Sequence, residues 1–128
     1  MFVYLCIRNE ETKTTADINL SRIAAVQNHI NLHYREELKL SELAELVCLA
    51  PTSLCHIFKS HTGMTVSKYI TDVRIRHATE MLQNSDDSIK AIAFECGFST
   101  LSNFNRLFYR VTGMTPSAYR EQNNIQRL

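Results

Sequence analysis

The sequence predicts an all-α protein built from two copies of one small helical unit. Three observations carry that prediction. Apolar residues recur at three- and four-residue spacing along most of the chain, and no segment sustains the period-two alternation of a strand. Residues suited to helix capping stand just ahead of the apolar stripes. A block of sequence near residue 60 returns near residue 110.

The elements are justified in order. Residues 1 to 7, Met-Phe-Val-Tyr-Leu-Cys-Ile, are apolar but far too short to span a membrane. They lack the basic start and small-residue cleavage site of a signal peptide. Arg8 to Asp17 is polar and reads as a linker, so residues 1–20 are expected to form an N-terminal arm or the remnant of an upstream domain. Ser21 is expected to cap a helix whose inner side carries Ile23, Val26, Ile30 and Tyr34. Arg35-Glu36-Glu37 turns the chain into a helix near Ser41 to Val47, with Leu43, Ala44 and Val47 facing inward. Pro51 opens the next helix, its apolar face made by Leu54, Ile57 and Phe58, and Gly63 suits the left-handed residue that closes it.

Thr65 caps the longest helix, expected to reach Leu82. Val66, Tyr69, Ile70, Val73, Ile75, Ala78, Met81 and Leu82 cover more than one narrow stripe of it. Asn84 to Asp87 make a turn, and Asp87 or Ser88 caps a helix bearing Ile89, Ile92, Ala93 and Cys96. After Gly97, Ser99 is expected to cap a helix with Phe104, Leu107, Phe108 and Val111 on one face. Thr115 and Pro116 then open the last helix.

The repeat is explicit. Phe58, Thr62, Gly63, Met64, Thr65, Ser67 and Tyr69 recur fifty positions later as Phe108, Thr112, Gly113, Met114, Thr115, Ser117 and Tyr119. Before the turn the offset becomes 49, pairing Leu43-Ala44 with Ile92-Ala93, so the second turn is one residue longer. Helix, short turn, helix is the layout of a helix-turn-helix, whose second helix enters the major groove of DNA. The predicted fold is therefore two helix-turn-helix subdomains, residues 21–64 and 83–128, joined by a long linker helix over 65–82, with about seven helices in all. An 18-residue linker helix spans roughly 27 Å, near the roughly 34 Å between successive major grooves.

Charge distribution points the same way. The net charge is only +1, so there is no global basic field, and the 45% apolar and 21% charged shares are ordinary for a soluble globular protein. However, no Asp or Glu occurs from Leu46 to Thr71 or from Cys96 to Arg120, where average usage of the 13 acids would place about five. Those two windows contain the two predicted recognition helices.

At this point residues 21–121 resemble the DNA-binding domain of the AraC/XylS family of bacterial transcription regulators. In the second unit the resemblance is carried by Ile89, Ala93-Phe94, Gly97-Phe98-Ser99, Phe104, Arg106, Phe108, Gly113-Met114-Thr115-Pro116 and Tyr119-Arg120. In the first it is carried by Leu43-Ala44, Leu54, Phe58-Lys59, Gly63, Tyr69 and Arg74. The chain departs from the family at Ala50, where a capping Ser is common. The resemblance implies double-stranded DNA and RNA polymerase as partners and an activator's role. It also implies a cytoplasmic location, on the nucleoid when bound, and an upstream effector-binding or dimerisation domain outside this chain. It implies no cofactor.

Excluding the inward positions leaves the expected contacts. On the first recognition helix Thr52, Ser53, Cys55 and His56 face the bases, with Lys59 and Ser60 towards phosphates. On the second, Leu101, Ser102, Asn105 and Arg106 face the bases, with Tyr109 and Arg110 towards phosphates. Arg106 is the foremost base reader, since a guanidinium grips guanine O6 and N7 bidentately. A salt bridge or phosphate contact is the alternative for it. The first helix, with less fixed chemistry, is expected to discriminate less.

Other classes are weaker. His29 and His33 stand four apart on a helix, but no carboxylate or cysteine joins them at metal-site spacing and H-E-x-x-H is absent. The four cysteines show no C-x-x-C or finger spacing and are expected to be reduced. Ser, His and Asp lack a nucleophile-elbow context. The chain is therefore expected not to be an enzyme and to hold no metal. A protein-binding adaptor, and a duplicated helical bundle with no nucleic-acid role, remain as alternatives.

Overall fold

The computed structural model describes residues 14–127, and these form seven helices with no strand among them. In chain order they are α1 (Thr15–His33), α2 (Leu40–Leu46), α3 (Pro51–Thr62), α4 (Val66–Asn84), α5 (Ile89–Glu95), α6 (Leu101–Thr112) and α7 (Pro116–Arg127). The expected apolar arm at residues 1–7 lies outside the described residues. The chain divides into two compact units, one holding the residues up to His33 and Leu38–Tyr69, the other Tyr34–Glu37 and the chain from Ile70 onwards.

The first unit is built on three apolar stripes. Ile23, Val26 and Ile30 from α1 are buried, as are Leu43, Ala44 and Leu46 from α2 and Val47 at its end, and Leu54 and Phe58 from α3. The spacing of three and four that predicted each helix is the spacing that reaches the core. The start of α1 differs from expectation. Ser21 does not cap it but sits exposed within it, and the helix begins at Thr15. The cap is Thr14, whose hydroxyl accepts from Asp17 N at 3.1 Å while Asp17 Oδ2 accepts from Thr14 N at 3.4 Å. That reciprocal pair is a capping box with Asp in place of Glu. At the start of α3, Ala50 provides no side-chain hydrogen bond, and Pro51 occupies the first turn.

The second unit uses the same device on α4, α5 and α6. Val73 and Ile75, on opposite sides of α4, are both buried, with Ala78 and Leu82 further along. Ile92, Ala93, Cys96, Phe98, Phe104 and Phe108 complete the core. Ser88, one of the two residues considered, caps α5 by accepting from Ala91 N at 3.1 Å. The cap of α6 is Thr100, not Ser99, accepting from Asn103 N at 3.1 Å. Val111 is 40% exposed and does not belong to the inner face of α6.

Segment 34–37 is bound into the second unit by its backbone. Arg74 Nε donates to Tyr34 O and Arg74 Nη2 to Glu36 O, each at 2.8 Å. The Tyr34 ring stacks on His77 with centroids 3.9 Å apart, and Arg35 pairs with Glu95 at 3.1 Å. Gly97 permits this approach. Its φ is +98°, and a Cβ there would stand 2.5 Å from Tyr34 O and 2.9 Å from Arg74 Nε. Both the backbone conformation and the space exclude a side chain.

Two stability predictions follow from these contrasts. Gly97→Ala is expected to lose about 3 kcal/mol or more in urea unfolding, from left-handed strain and the clash together. Gly63→Ala, where φ is +79° but nothing lies within 4 Å, should lose only about 1–2 kcal/mol. Equal losses would contradict the close-approach argument. Ala50→Ser supplies the missing α3 cap and should gain about 1 kcal/mol in the same measurement; no gain would show that Pro51 and solvent already satisfy that helix end.

Candidate nucleic-acid interface

The two units repeat one another atom by atom at the exits of α3 and α6. The Thr62 hydroxyl donates to Phe58 O at 2.7 Å, lies 3.0 Å from Met64 O and accepts from Met64 N at 3.2 Å. The Thr112 hydroxyl makes the same three approaches to Phe108 O, Met114 O and Met114 N at 2.8, 3.2 and 3.2 Å. Gly63 and Gly113 take φ of +79° and +77°, and their amides donate to Lys59 O and Tyr109 O. The next caps also match, Thr65 accepting from Lys68 N and Thr115 from Ala118 N, each at 3.1 Å. Phe58 meets Tyr69 edge-on at 5.7 Å, and Phe108 meets Tyr119 edge-on at 5.7 Å.

The turns ahead of the two helices differ by the one residue that the sequence indicated. Four residues separate α2 from α3 and five separate α5 from α6. Both turns need a left-handed residue. The second uses Gly97, while the first uses Cys48 with φ +58°, a conformation that side chains other than those of Gly and Asn adopt at a cost. Cys55 and Cys96 carry free thiols. Burial pushes the Cys96 thiol up to about 11, so it is a core side chain and a poor nucleophile.

With Leu54 and Phe58, and Phe104 and Phe108, fully buried, the opposite sides of α3 and α6 are fixed as outer faces. From Leu54 and Phe104 onwards the pattern of buried, half-buried and exposed positions is identical in the two units through residues 70 and 120. Thr52, Ser53, Cys55, His56, Lys59 and Ser60 are all exposed on α3. Ser102, Asn105, Arg106, Tyr109 and Arg110 are exposed on α6, whereas Leu101 is half-buried. Thus all twelve expected positions lie on these two helices, eleven of them fully at the surface.

One residue of this face escaped the sequence reading. Asn103 Oδ1 accepts a hydrogen bond from Arg106 Nη2, three positions on, while Asn103 N is held by the Thr100 cap. The guanidinium is therefore restrained by a residue that is itself tied to the helix start. Spacing of three on a helix was the available signal. The first unit has Ser53 and His56 at the matching positions, so its outer face carries no such brace.

Around these faces, His29 and His33 have ring centroids 4.4 Å apart, and no group of three or more metal-ligating side chains occurs among the described residues. No single helix among them is long and apolar enough to cross a membrane.

Comparison with known proteins adds the lineage. Residues 43–122 match the profile of a family described as a helix-turn-helix domain. The chain is 27% identical over 122 residues to the HTH-type transcriptional activator RhaR of Mannheimia succiniciproducens, covering 95% of this chain and 44% of that protein. It spans less than half the length of such curated relatives. Among solved structures, it superposes on the DNA-binding domain of the global transcriptional factor AdpA, in complex with a target DNA, with a TM-score of 0.79 and 26% identity, covering 83% of this chain and 96% of that one. A transcriptional regulator from Chromobacterium violaceum described by its AraC-type DNA-binding domain gives a TM-score of 0.76 and 26% identity, covering 81% and 93%. Two helix-turn-helix units of one pattern, a profile match over most of the chain and these superpositions agree: the chain belongs to the AraC-type family of helix-turn-helix DNA-binding domains, a family of transcription regulators and not of enzymes.

Proposed function

We propose that this chain binds double-stranded DNA sequence-specifically through α3 and α6, each entering a major groove, the two grooves being adjacent, and that it activates transcription. The observation that carries this reading is the repeated outer face. From Leu54 and Phe104 onwards the two helices expose the same positions, neither carries an acid, and each is anchored by a buried pair at matching positions and by the same glycine exit. An acid-free face bearing Lys59 on one helix and Arg106 and Arg110 on the other suits a polyanion, and its short polar side chains suit base edges. The subdomain reading, 21–64 and 83–128 about a linker helix over 65–82, belongs to this proposal. Helix α4, at 19 residues, spans roughly 28 Å, close to the roughly 34 Å repeat of the major groove.

The roles divide by chemistry. Thr52, Ser53, Cys55 and His56 on α3, and Leu101, Ser102, Asn105 and Arg106 on α6, meet base edges. Lys59, Ser60, Tyr109 and Arg110 meet phosphates and set register. Arg106, held by Asn103, is presented with part of its conformational freedom already spent, which favours a bidentate grip on guanine. Contact with RNA polymerase, an effector-binding or dimerisation domain upstream of this chain, and action in the cytoplasm complete the reading. The family supports them.

Arg106→Ala is expected to cost about 1–3 kcal/mol on a cognate duplex and little on a scrambled one. Lys59→Ala and Arg110→Ala should weaken both duplexes alike and each lower the slope of log affinity against log salt by about one. Fluorescence anisotropy over a salt series distinguishes these outcomes. Equal loss on both duplexes for Arg106→Ala would reassign it to the phosphate backbone.

A further inference from the structure

The two heads expose different chemistry, although their scaffolds coincide. On α6 the base-facing set includes Asn105 and Arg106, side chains with paired donors or acceptors in a plane. On α3 the same positions are Cys55 and His56, and nowhere among Thr52, Ser53, Cys55 and His56 is there an amide or guanidinium able to grip a purine bidentately. Instead, a groove of about 540 Å³ opens alongside α3, lined by Leu40, Pro51, Thr52, Cys55, His56 and Val66, among others. Thr52 and Cys55, three positions apart and both exposed, share one side of the helix and both line that groove, the one carrying a methyl and the other a thiol.

In the major groove, thymine alone among the four bases projects a methyl group. A short-chained, mostly apolar wall makes few hydrogen bonds there but removes such a methyl from water. We propose that α3 reads thymine, through contact of its C5-methyl with Thr52 and Cys55, while Asn105 and Arg106 of α6 read by hydrogen bonds. The first head then discriminates by shape and desolvation, not weakly as its lack of an amide or guanidinium suggests. The phosphate contact of Lys59, one turn beyond Cys55, seats the wall against the base edges.

This inference rests on the DNA reading proposed above. The test begins with a duplex selected by the chain from a random library. Each thymine of that duplex is then replaced in turn by deoxyuridine, which lacks only the methyl. Replacement at one or more positions should weaken binding about three- to fivefold each, the effect of one apolar carbon taken from water. In a Thr52→Ser, Cys55→Ser double variant the same replacements should have no effect. Both positions are exposed, so the variant retains the fold, and its binding to the deoxyuridine duplex serves as its own control. Selective binding indifferent to every such replacement, or an undiminished penalty in the double variant, overturns the thymine assignment and leaves DNA reading intact. Failure to enrich any duplex overturns the DNA reading and this inference with it.

Discussion

The structure depends on two pairs of buried side chains set four residues apart, Leu54 with Phe58 and Phe104 with Phe108, all with zero exposure. A helix with two successive knobs fully sunk in the core cannot rotate about its axis without pulling an aromatic ring into water. Exposing one large buried side chain costs about 1.5–3 kcal/mol, so the rotational setting of α3 and α6 is fixed by their cores. The outward residues follow by geometry. Whatever α3 and α6 do at their surfaces, they do with the positions that the core leaves over.

Each pair is reinforced where its helix ends. The hydroxyl of Thr62 or Thr112 folds back onto Phe58 or Phe108, the glycine turns left-handed, and a tyrosine ring arrives edge-on against the same phenylalanine. The last buried turn of α3 and α6 is thus tied to the first turn of α4 and α7. The residues that make these contacts are identical in the two units, and the distances agree accordingly. At the start of the outer helices the side chains differ. The divergence is informative. Thr100 caps where Ala50 does not, Gly97 takes the left-handed turn that Cys48 takes in the first unit, and Arg106 with Asn103 stands where His56 has Ser53. The second unit is the more firmly preset of the two at the start of its outer helix.

Much of this was legible in the chain itself because it was said twice. Periodicity located six of the seven described helices, the Thr115-Pro116 start located the last, and the repeat, with its shift from 50 to 49, located the turn that is one residue longer. Thr65, Thr115 and the two closing glycines act as their residue types dictate. What was misread has local physical reasons. Ser21 and Ser99 are good caps by type, but Thr14 has Asp17 three residues on to complete a reciprocal pair, and Thr100 stands where the chain is extended ahead of Leu101. Val111 has helical spacing for the inner face, yet lies at the final turn where the helix leaves the core, and is exposed. The Asn103–Arg106 brace and the groove beside α3 depend on side-chain direction, which spacing indicates only loosely.

The central claim is that the outer faces of α3 and α6 are together the surface that meets DNA. Amide chemical-shift mapping by nuclear magnetic resonance, with a selected duplex titrated into the isotope-labelled chain, addresses it residue by residue. The account predicts that the largest changes fall within 52–60 and 101–110 and that both groups saturate with one binding curve. Changes confined to one of these helices, or gathered on α1 and α7 instead, would contradict it.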